Sequence, residues 1–198
     1  VAGTYGKTTT TSLVATVLDE AGFDPTVVVG GKVGTLGSNA RLGKGRFLVA
    51  EADESDGSFL LLSPTVAVIT NIDREHMDHY GTEEKLEDAF VAFANKVPFY
   101  GAVVACLDDA RIQRLLPRLN RRVITYGLNP QADGSARHVS MGEGRTRFEV
   151  IADGDAAGVA EMDLPGLHNV LNSLAAFAVG VELGADPATA LTALGAFG

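Results

Sequence analysis

Short apolar runs rich in β-branched residues alternate with helical patterns along most of this 198-residue chain, and this alternation limits the folds open to it. Each run is long enough for a strand and is almost continuously apolar, which is typical of strands buried on both faces. Strands that alternate with helices predict an α/β fold, a mostly parallel sheet flanked by helices. The predicted strands cover residues 26–29, 47–50, 65–70, 102–106 and 122–126, and the accompanying helices cover 7–21, 82–96 and 108–119.

The later part of the chain has a different texture. Residues 127–164 are polar and punctuated by glycine, which predicts a small antiparallel β subregion. Its strands are expected over 137–141, 145–151 and 159–163. Two helices follow, one over 167–183 and one from Pro187, where Asp186 is a suitable N-cap. The length predicts one domain over residues 1–198.

Composition and charge exclude several classes of function. The chain has 16 Lys and Arg against 25 Asp and Glu, a net charge of −9, which is opposite to the basic surface expected of a nucleic-acid binder. No apolar run approaches the roughly 20 residues needed to span a bilayer, so membrane insertion is not expected. The single cysteine, Cys106, cannot form an intramolecular disulfide, and no signal segment opens the chain. These features predict a cytoplasmic protein.

A glycine-rich tract typical of phosphate binding stands at the start of the sequence. It reads Gly3-Thr4-Tyr5-Gly6-Lys7-Thr8-Thr9 and leads directly into the first predicted helix. In such loops the glycines let backbone N–H groups converge on an anion, the lysine reaches phosphate oxygens, and the next threonine can ligate magnesium. Two residues separate Gly3 from Gly6, whereas the usual pattern has about four, so the loop is a short variant. A capped helix start with a surface lysine is the alternative interpretation.

An acidic tract, Glu51-Ala52-Asp53-Glu54-Ser55-Asp56-Gly57, directly follows one of the predicted strands. Its carboxylates repel one another unless a cation lies among them. A solvated loop that caps a short helix is one interpretation, but a neighbouring phosphate loop favours a magnesium site, because magnesium takes oxygen ligands from strand ends. Glu51, the first acid after the strand, is the candidate ligand. Asp53, Glu54 and Asp56 are expected to cap or orient neighbouring groups.

A histidine-containing tract, Asn71-Ile72-Asp73-Arg74-Glu75-His76-Met77-Asp78-His79-Tyr80, follows the next predicted strand. It contains two of the four histidines of the chain. The tract is equally compatible with His76 as a metal ligand and with His76 as a hydrogen-bonded loop residue. A zinc site is disfavoured, because Cys106 is distant in sequence and the usual ligand spacing is missing.

Two asparagines near the C-terminal end form a fourth candidate tract. Asn169 and Asn172 are three residues apart in the predicted helix and therefore share a face. Their amides both donate and accept hydrogen bonds, which suits the edge of an adenine ring. The alternative is that one of them caps the helix.

These four tracts resemble the central domain of the Mur ligase family. They occupy residues 3–9, 51–59, 70–80 and 168–172, in the order and spacing of that family, and the resemblance covers essentially the whole chain. It implies an ATP-dependent, amide-forming ligase of peptidoglycan synthesis. In that reaction a substrate carboxylate attacks the γ-phosphate of ATP, and an amine then attacks the resulting acyl phosphate.

The resemblance also implies roles for individual residues. The expected catalytic residues are Lys7, which neutralises the transferred phosphoryl group, and Glu51 and His76. One magnesium ion is expected on Thr8 and Glu51, and a second metal ion on His76. The expected ATP-binding residues are Gly3, Thr4, Gly6, Lys7, Thr8 and Thr9 of the loop, with His168, Asn169 and Asn172 around the adenine. The tract Ser38-Asn39-Ala40-Arg41 either contacts a sugar nucleotide or forms only a turn.

Within the family, the chain is most similar to the member that joins L-alanine to UDP-N-acetylmuramate, so these two molecules and ATP are the expected partners. The same resemblance makes the chain a fragment, with an N-terminal uridine-nucleotide domain and a C-terminal domain outside it. A relative that adds a ready-made tripeptide is one alternative. A nucleotide-hydrolysing switch is another, but the closest match to the Asn-Lys-x-Asp tract of guanine selection, Asn95-Lys96-Val97-Pro98, ends in proline.

Three features depart from the family pattern. Tyr5 stands where histidine is usual, and Glu75 stands where aspartate is usual. Several related ligases use a carbamoylated lysine downstream of the histidine tract, and no lysine occupies the matching place, although Lys85 and Lys96 are near it. Any role of an imidazole at position 5 is therefore lost. The longer Glu75 side chain places its carboxylate farther from the backbone than an aspartate would.

Overall fold

The computed structural model describes residues 1–30 and 39–197. The strands are β1 (Thr26–Val28), β2 (Ala40–Arg41), β3 (Leu48–Ala50), β4 (Val66–Ile69), β5 (Ala102–Cys106), β6 (Val123–Gly127), β7 (Gly134–Gly142), β8 (Arg145–Ala152) and β9 (Asp155–Met162). The α-helices are α1 (Lys7–Glu20), α2 (Met77–Tyr80), α3 (Glu83–Asn95), α4 (Ala110–Leu115), α5 (Leu167–Glu182) and α6 (Pro187–Gly195). Short 3-10 helices cover Ser58–Leu61 and Leu116–Arg118.

The strands form two sheets, one with the order β2-β1-β3 and one with the order β4-β5-β6-β7-β8-β9. In the larger sheet β4 to β7 are parallel, and β7 to β9 are antiparallel. In the smaller sheet β1 is parallel to β3 and antiparallel to β2. The α/β fold with a mostly parallel sheet and flanking helices, predicted from the sequence, is confirmed.

The segment Val1–Ala2 connects the two sheets. The Val1 nitrogen donates to the carbonyl of Ala50 at 2.8 Å, and Ala2 N donates to the carbonyl of Val68, also at 2.8 Å. The segment therefore lies between β3 and β4, and the loop that follows it emerges at the carboxyl ends of the parallel strands. In open parallel sheets, ligands bind at this edge.

Helices pack on the sheet in two groups. One group contains α1, α5 and α6, which contact one another, and the other contains α3 with α4 and the 3-10 helix Ser58–Leu61. In the second group, the ring of Phe59 lies 5.3 Å from that of Phe90 and 5.0 Å from that of Phe93, between centroids. Every residue of β5 is buried, as expected for a strand covered on both faces.

The structure differs from the sequence prediction in two elements. The helix predicted over 108–119 is only α4, followed by a 3-10 turn, because Pro117 has no N–H to continue the α-helical ladder. The antiparallel strands predicted within 127–164 are present, but they extend the main sheet, since Tyr126 of β6 pairs in parallel with Gly134 of β7. The N-cap role of Asp186 is confirmed, because its side chain accepts from Thr189 N.

The extent of the single domain, residues 1–198, stays a prediction. In the part of the chain that the structure describes, no helix is both long and apolar enough to cross a membrane.

Candidate nucleotide site

The predicted phosphate loop lies between β3 and β4, and two of its glycines cannot be replaced without strain. Gly3 has a φ of 135° and Gly6 a φ of 79°. A Cβ atom at Gly3 would lie 2.1 Å from Thr70 Oγ1, and one at Gly6 would lie 2.8 Å from Asn172 Oδ1. Conformation and space therefore both require glycine. The helix α1 begins at Lys7, and the first N–H groups of a helix are available to an anion.

Hydrogen bonds attach the loop to the segment after β4. Thr4 N donates to the carbonyl of Asn71 at 3.1 Å, and Tyr5 N donates to Asn71 Oδ1 at 2.8 Å. The N–H of Asp73 donates to Thr4 Oγ1 at 2.8 Å. The Tyr5 hydroxyl donates to the Glu75 carboxylate, and this hydrogen bond raises the pKa of Tyr5. The two residues that depart from the family pattern therefore contact each other.

Lys7 forms an ion pair with Glu54. Its Nζ lies 2.8 Å from Glu54 Oε2 and 3.0 Å from Glu54 Oε1, and it also donates to the carbonyl of Gly3 at 2.8 Å. The Glu54 side chain is 1% exposed and that of Lys7 is 15% exposed. Glu54 is a site residue that the sequence did not single out, because neighbouring acids in one tract carry no signal of which one turns inward.

Thr8 and Glu51 meet beside the loop. Thr8 Oγ1 donates to Glu51 Oε2 at 3.0 Å, and Gly30 N donates to the same oxygen at 2.9 Å. Glu51 directly follows β3, and its own N–H donates to the carbonyl of Val28 at 3.0 Å. A hydroxyl and a carboxylate are oxygen donors of the kind that magnesium prefers, so the pair fits such an ion. Thr9 lies half-buried in the first turn of α1.

The other acids of the tract shape its turn. Asp53 Oδ1 accepts from Ser55 N and Asp56 Oδ1 accepts from Ser58 N, both at 2.9 Å. These hydrogen bonds favour the ionised carboxylates and lower the pKa of Asp53 and of Asp56. Both residues therefore orient backbone N–H groups of the tract, although the N-cap of the following 3-10 helix is Gly57.

His76 also lies near the Glu54 carboxylate. Its Nε2 is 3.8 Å from Glu54 Oε1 and 4.0 Å from Glu75 Oε2, and its side chain is 35% exposed. Glu54 therefore links Lys7 to His76. Within residues 1–30 and 39–197, no group of three or more His, Cys, Asp or Glu side chains is arranged to hold a metal ion. The assignment of Thr8, Glu51 and His76 as metal ligands stays a prediction.

The two asparagines share one face of α5, as predicted, and that face is turned toward the phosphate loop. Both side chains are buried. Asn172 Oδ1 accepts from Thr10 Oγ1 at 3.0 Å, and Asn172 Nδ2 donates to Asn169 Oδ1 at 3.3 Å. Asn169 Nδ2 donates to the carbonyl of Pro165 at 2.8 Å, whereas His168 is exposed. Contact of these three residues with adenine stays a prediction.

Other candidate features lie away from the loop. Ser38 is outside the described residues, and Arg41 of β2 forms an ion pair with Asp19, with Nη1 and Oδ2 2.9 Å apart. A cavity of about 720 Å³ lies at the amino ends of β3 and β4 and is lined by residues such as Leu48 and Val66. None of the predicted site residues lines this cavity.

A glycine loop between parallel strand ends, with a lysine and a threonine at the start of the next helix, defines a nucleotide-binding α/β domain of the P-loop type. Residues 1–180 match the family described as the Mur ligase middle domain. The chain belongs to this family.

Relatives within the family include both kinds of ligase considered above. The chain is 59% identical over 198 residues to the UDP-N-acetylmuramate–L-alanine ligase of Sorangium cellulosum (strain So ce56). This alignment covers 100% of the chain and 42% of that ligase. A solved structure of UDP-N-acetylmuramate:L-alanyl-gamma-D-glutamyl-meso-diaminopimelate ligase from Neisseria meningitides is 32% identical, with a TM-score of 0.89, and covers 99% of this chain and 64% of that one. The UDP-N-acetylmuramate-alanine ligase MurC of Thermotoga maritima is 31% identical, with a TM-score of 0.85, and covers 98% of this chain and 43% of that one. The chain thus spans less than half the length of the curated relatives it matches.

Proposed function

We propose that the protein is an ATP-dependent ligase that joins L-alanine to the lactyl carboxylate of UDP-N-acetylmuramate in peptidoglycan synthesis. The observation that carries this proposal is the phosphate loop itself, where Thr8 contacts Glu51 and Lys7 faces the same strand ends, in a chain 59% identical to a relative of that name. The Mur ligase family uses ATP, which fits a loop of this type. The cytoplasm is the proposed location, in keeping with a single, buried cysteine.

The proposed reaction has two steps. A lactyl carboxylate oxygen attacks the γ-phosphorus of ATP, a C–O–P bond forms, and ADP leaves. The neutral amine of L-alanine, formed when its ammonium group releases a proton to solvent, then attacks the acyl carbon, and the nitrogen releases a second proton to solvent after the C–N bond forms. The resulting tetrahedral intermediate collapses when the bond between its carbon and the phosphate oxygen breaks. The amide and inorganic phosphate are then released.

Lys7 is the proposed source of positive charge at the transferred phosphoryl group. Its Nζ already lies between a loop carbonyl and a carboxylate, 2.8 Å from each, so it is held at the loop and not extended into solvent. A cation held beside the loop can stabilise the charge that develops on phosphoryl oxygens.

Thr8 and Glu51 are the residues proposed to hold a magnesium ion, because they present oxygen ligands side by side. A bound magnesium ion would supply positive charge to the phosphates of ATP. His76 is proposed to hold a second metal ion near the lactyl carboxylate that accepts the phosphoryl group. The loop residues Gly3, Thr4, Gly6 and Thr9 are proposed to bind phosphates through backbone and hydroxyl groups.

Recognition of the adenine is proposed for His168, Asn169 and Asn172, at the edge of α5 that meets α1. The hydrogen bond from Thr10 to Asn172, whose Oδ1 also occupies the space beside Gly6, supports this proposal, since it keeps α5 next to the loop. Most recognition of UDP-N-acetylmuramate is proposed for two further domains of the same protein, because the relatives are more than twice as long as this chain.

A ligase that adds a ready-made tripeptide to the same sugar nucleotide is the second candidate, supported by the TM-score of 0.89 with a structure of that name. Sequence identity favours the alanine-adding enzyme. Ser55 and Gly57 also resemble the alanine-adding enzyme, since the recycling ligases tend to carry bulkier residues at those two places. Gly57 has a φ of 75°, and a Cβ atom there would lie 3.0 Å from His79 Nε2, so a bulkier residue requires a different turn. A hydrolysing switch is disfavoured, since Asn95–Pro98 precedes β5 at the opposite edge of the sheet.

An isotope experiment tests the acyl-phosphate route. UDP-N-acetylmuramate labelled with oxygen-18 in its lactyl carboxylate is incubated with the full-length protein, ATP, magnesium and L-alanine. Because a carboxylate oxygen forms the bond to phosphorus and leaves with it, one labelled oxygen is expected in the released phosphate, as measured by mass spectrometry. Phosphate without label would contradict the proposal.

A further inference from the structure

The buried carboxylate of Glu54 takes no part in the steps described above, although the fold fixes it firmly. The backbone carbonyl of Glu54 accepts hydrogen bonds from the Tyr80 hydroxyl and, at 3.2 Å, from Gly57 N. The first bond joins the acidic tract to α2, and the second closes the turn of that tract. The backbone of Glu54 is therefore held both by α2 and by the turn of the tract, while its side chain is held by Lys7.

The charge of Glu54 is balanced chiefly by Lys7. A carboxylate that is 1% exposed is stable in its ionised form only when it is paired, and Lys7 Nζ lies within 3.0 Å of both of its oxygens. His76 Nε2 is farther away, at 3.8 Å. The ion pair with Glu54 therefore removes much of the attraction that Lys7 would otherwise offer to an anion.

A polyphosphate that enters the loop must share Lys7 with Glu54. It also meets Glu51, which accepts from Thr8 beside the same loop, so two carboxylates face the incoming negative charge. Like charges repel more strongly where burial reduces solvent screening, as it does at Glu54. Lys7, Glu51 and Glu54 together carry a net negative charge, which repels a polyphosphate even though the loop has the form of a phosphate-binding loop.

We propose that Glu54 makes nucleotide binding at this loop conditional on a divalent cation, because it neutralises Lys7 until a cation offsets the carboxylates. Glu54 is then a positioning residue that acts through Lys7 and sets the metal requirement of binding. This inference rests on the proposed function, since it takes ATP as the ligand.

Calorimetric titration of the full-length protein with ATP, in excess magnesium and in excess chelator, tests this inference. The measured quantity is the ratio of the dissociation constant without metal to that with magnesium. Glu54→Gln removes the charge and frees Lys7, so this ratio is expected to fall by about tenfold or more relative to the unsubstituted protein. Asp53→Asn is the matched control, because it removes one charge from the adjacent position while an asparagine can still accept from Ser55 N. The control is expected to leave the ratio within about threefold.

The titrations separate a failure of the proposed function from a failure of the role assigned to Glu54. A protein that binds no ATP even with magnesium contradicts the proposed function, and the inference falls with it. ATP binding with an unchanged ratio in Glu54→Gln, or an equal change in Asp53→Asn, overturns the inference alone. If Glu54→Gln does not fold, as judged by circular dichroism, Glu54→Asp decides: the shorter side chain reaches Lys7 less well, and a ratio no lower than that of the unsubstituted protein overturns the inference.

Discussion

At the scale of single residues, Gly6 shows how the loop depends on the absence of a side chain. Its φ of 79° lies in the left-handed region, and the neighbouring Asn172 Oδ1 occupies the space that a Cβ atom would need. Gly22 has almost the same φ, 77°, but a Cβ atom there would meet nothing within 4 Å. The two positions therefore separate backbone strain from steric contact.

We expect Gly6→Ala and Gly22→Ala each to lose about 1 kcal/mol of unfolding free energy through backbone strain. Only Gly6→Ala displaces Asn172 and the loop, so it is expected also to raise the KM for ATP by about tenfold or more. Urea unfolding and steady-state kinetics measure the two effects. Equal KM values for both variants would show that the contact with Asn172 does not shape the loop.

At the scale of elements, the packing of α5 against α1 places the asparagine face beside the loop. The hydrogen bond from Thr10 to Asn172 is buried, and Thr10 is fully buried. By contrast, Asp186 caps α6 by accepting from Thr189 N, away from the loop. A substitution at Asn172 removes two side-chain hydrogen bonds beside the loop, those with Thr10 and Asn169, whereas one at Asp186 removes the cap of α6.

We expect Asn172→Ala to lower the free energy of unfolding by about 1–3 kcal/mol, because it leaves the Thr10 hydroxyl buried without its acceptor. The KM for ATP is expected to rise with it. Asp186→Ala is expected to cost about 1 kcal/mol and to leave the KM unchanged. Thermal unfolding and kinetics on both variants provide the comparison, and an unchanged KM in Asn172→Ala is the contrary result.

The elements were predictable where local pattern determines them. The apolar run at 102–106 matches β5 residue for residue, since a strand buried on both faces has no polar residue inside it. The pairing of β7 with β6 was not predictable, because it depends on which sheet edge is free in the folded chain. The candidate site was likewise predictable only in part. The loop glycines and the contact of Thr8 with Glu51 follow from motifs, whereas the burial of Glu54 depends on packing by residues distant in sequence.

At the scale of the whole molecule, a buried pair at the end of two adjacent parallel strands couples the core to pH. Cys106 of β5 pairs with Tyr126 of β6, and both are buried. Burial raises the pKa of the Cys106 thiol from 9.0 to about 11 and raises the pKa of Tyr126 well above 10.0. The folded state therefore favours both groups in their neutral forms.

The stability from Cys106 is fully present below pH 9 and is lost as the pH rises toward about 11, because the unfolded chain releases the proton first. The loss from this group approaches about 2–3 kcal/mol at most. Chemical unfolding between pH 8 and pH 11 is expected to show a decline that is shallower in Cys106→Ala. Identical pH profiles in the two proteins are the opposite result.

A comparison of two amines tests whether the protein adds L-alanine to UDP-N-acetylmuramate, as proposed. Phosphate release by the full-length protein is measured with ATP, magnesium and UDP-N-acetylmuramate, first with L-alanine and then with the tripeptide L-alanyl-gamma-D-glutamyl-meso-diaminopimelate. We expect kcat/KM for L-alanine to exceed that for the tripeptide by about tenfold or more. Faster release with the tripeptide would contradict it and would assign the protein to the recycling ligases.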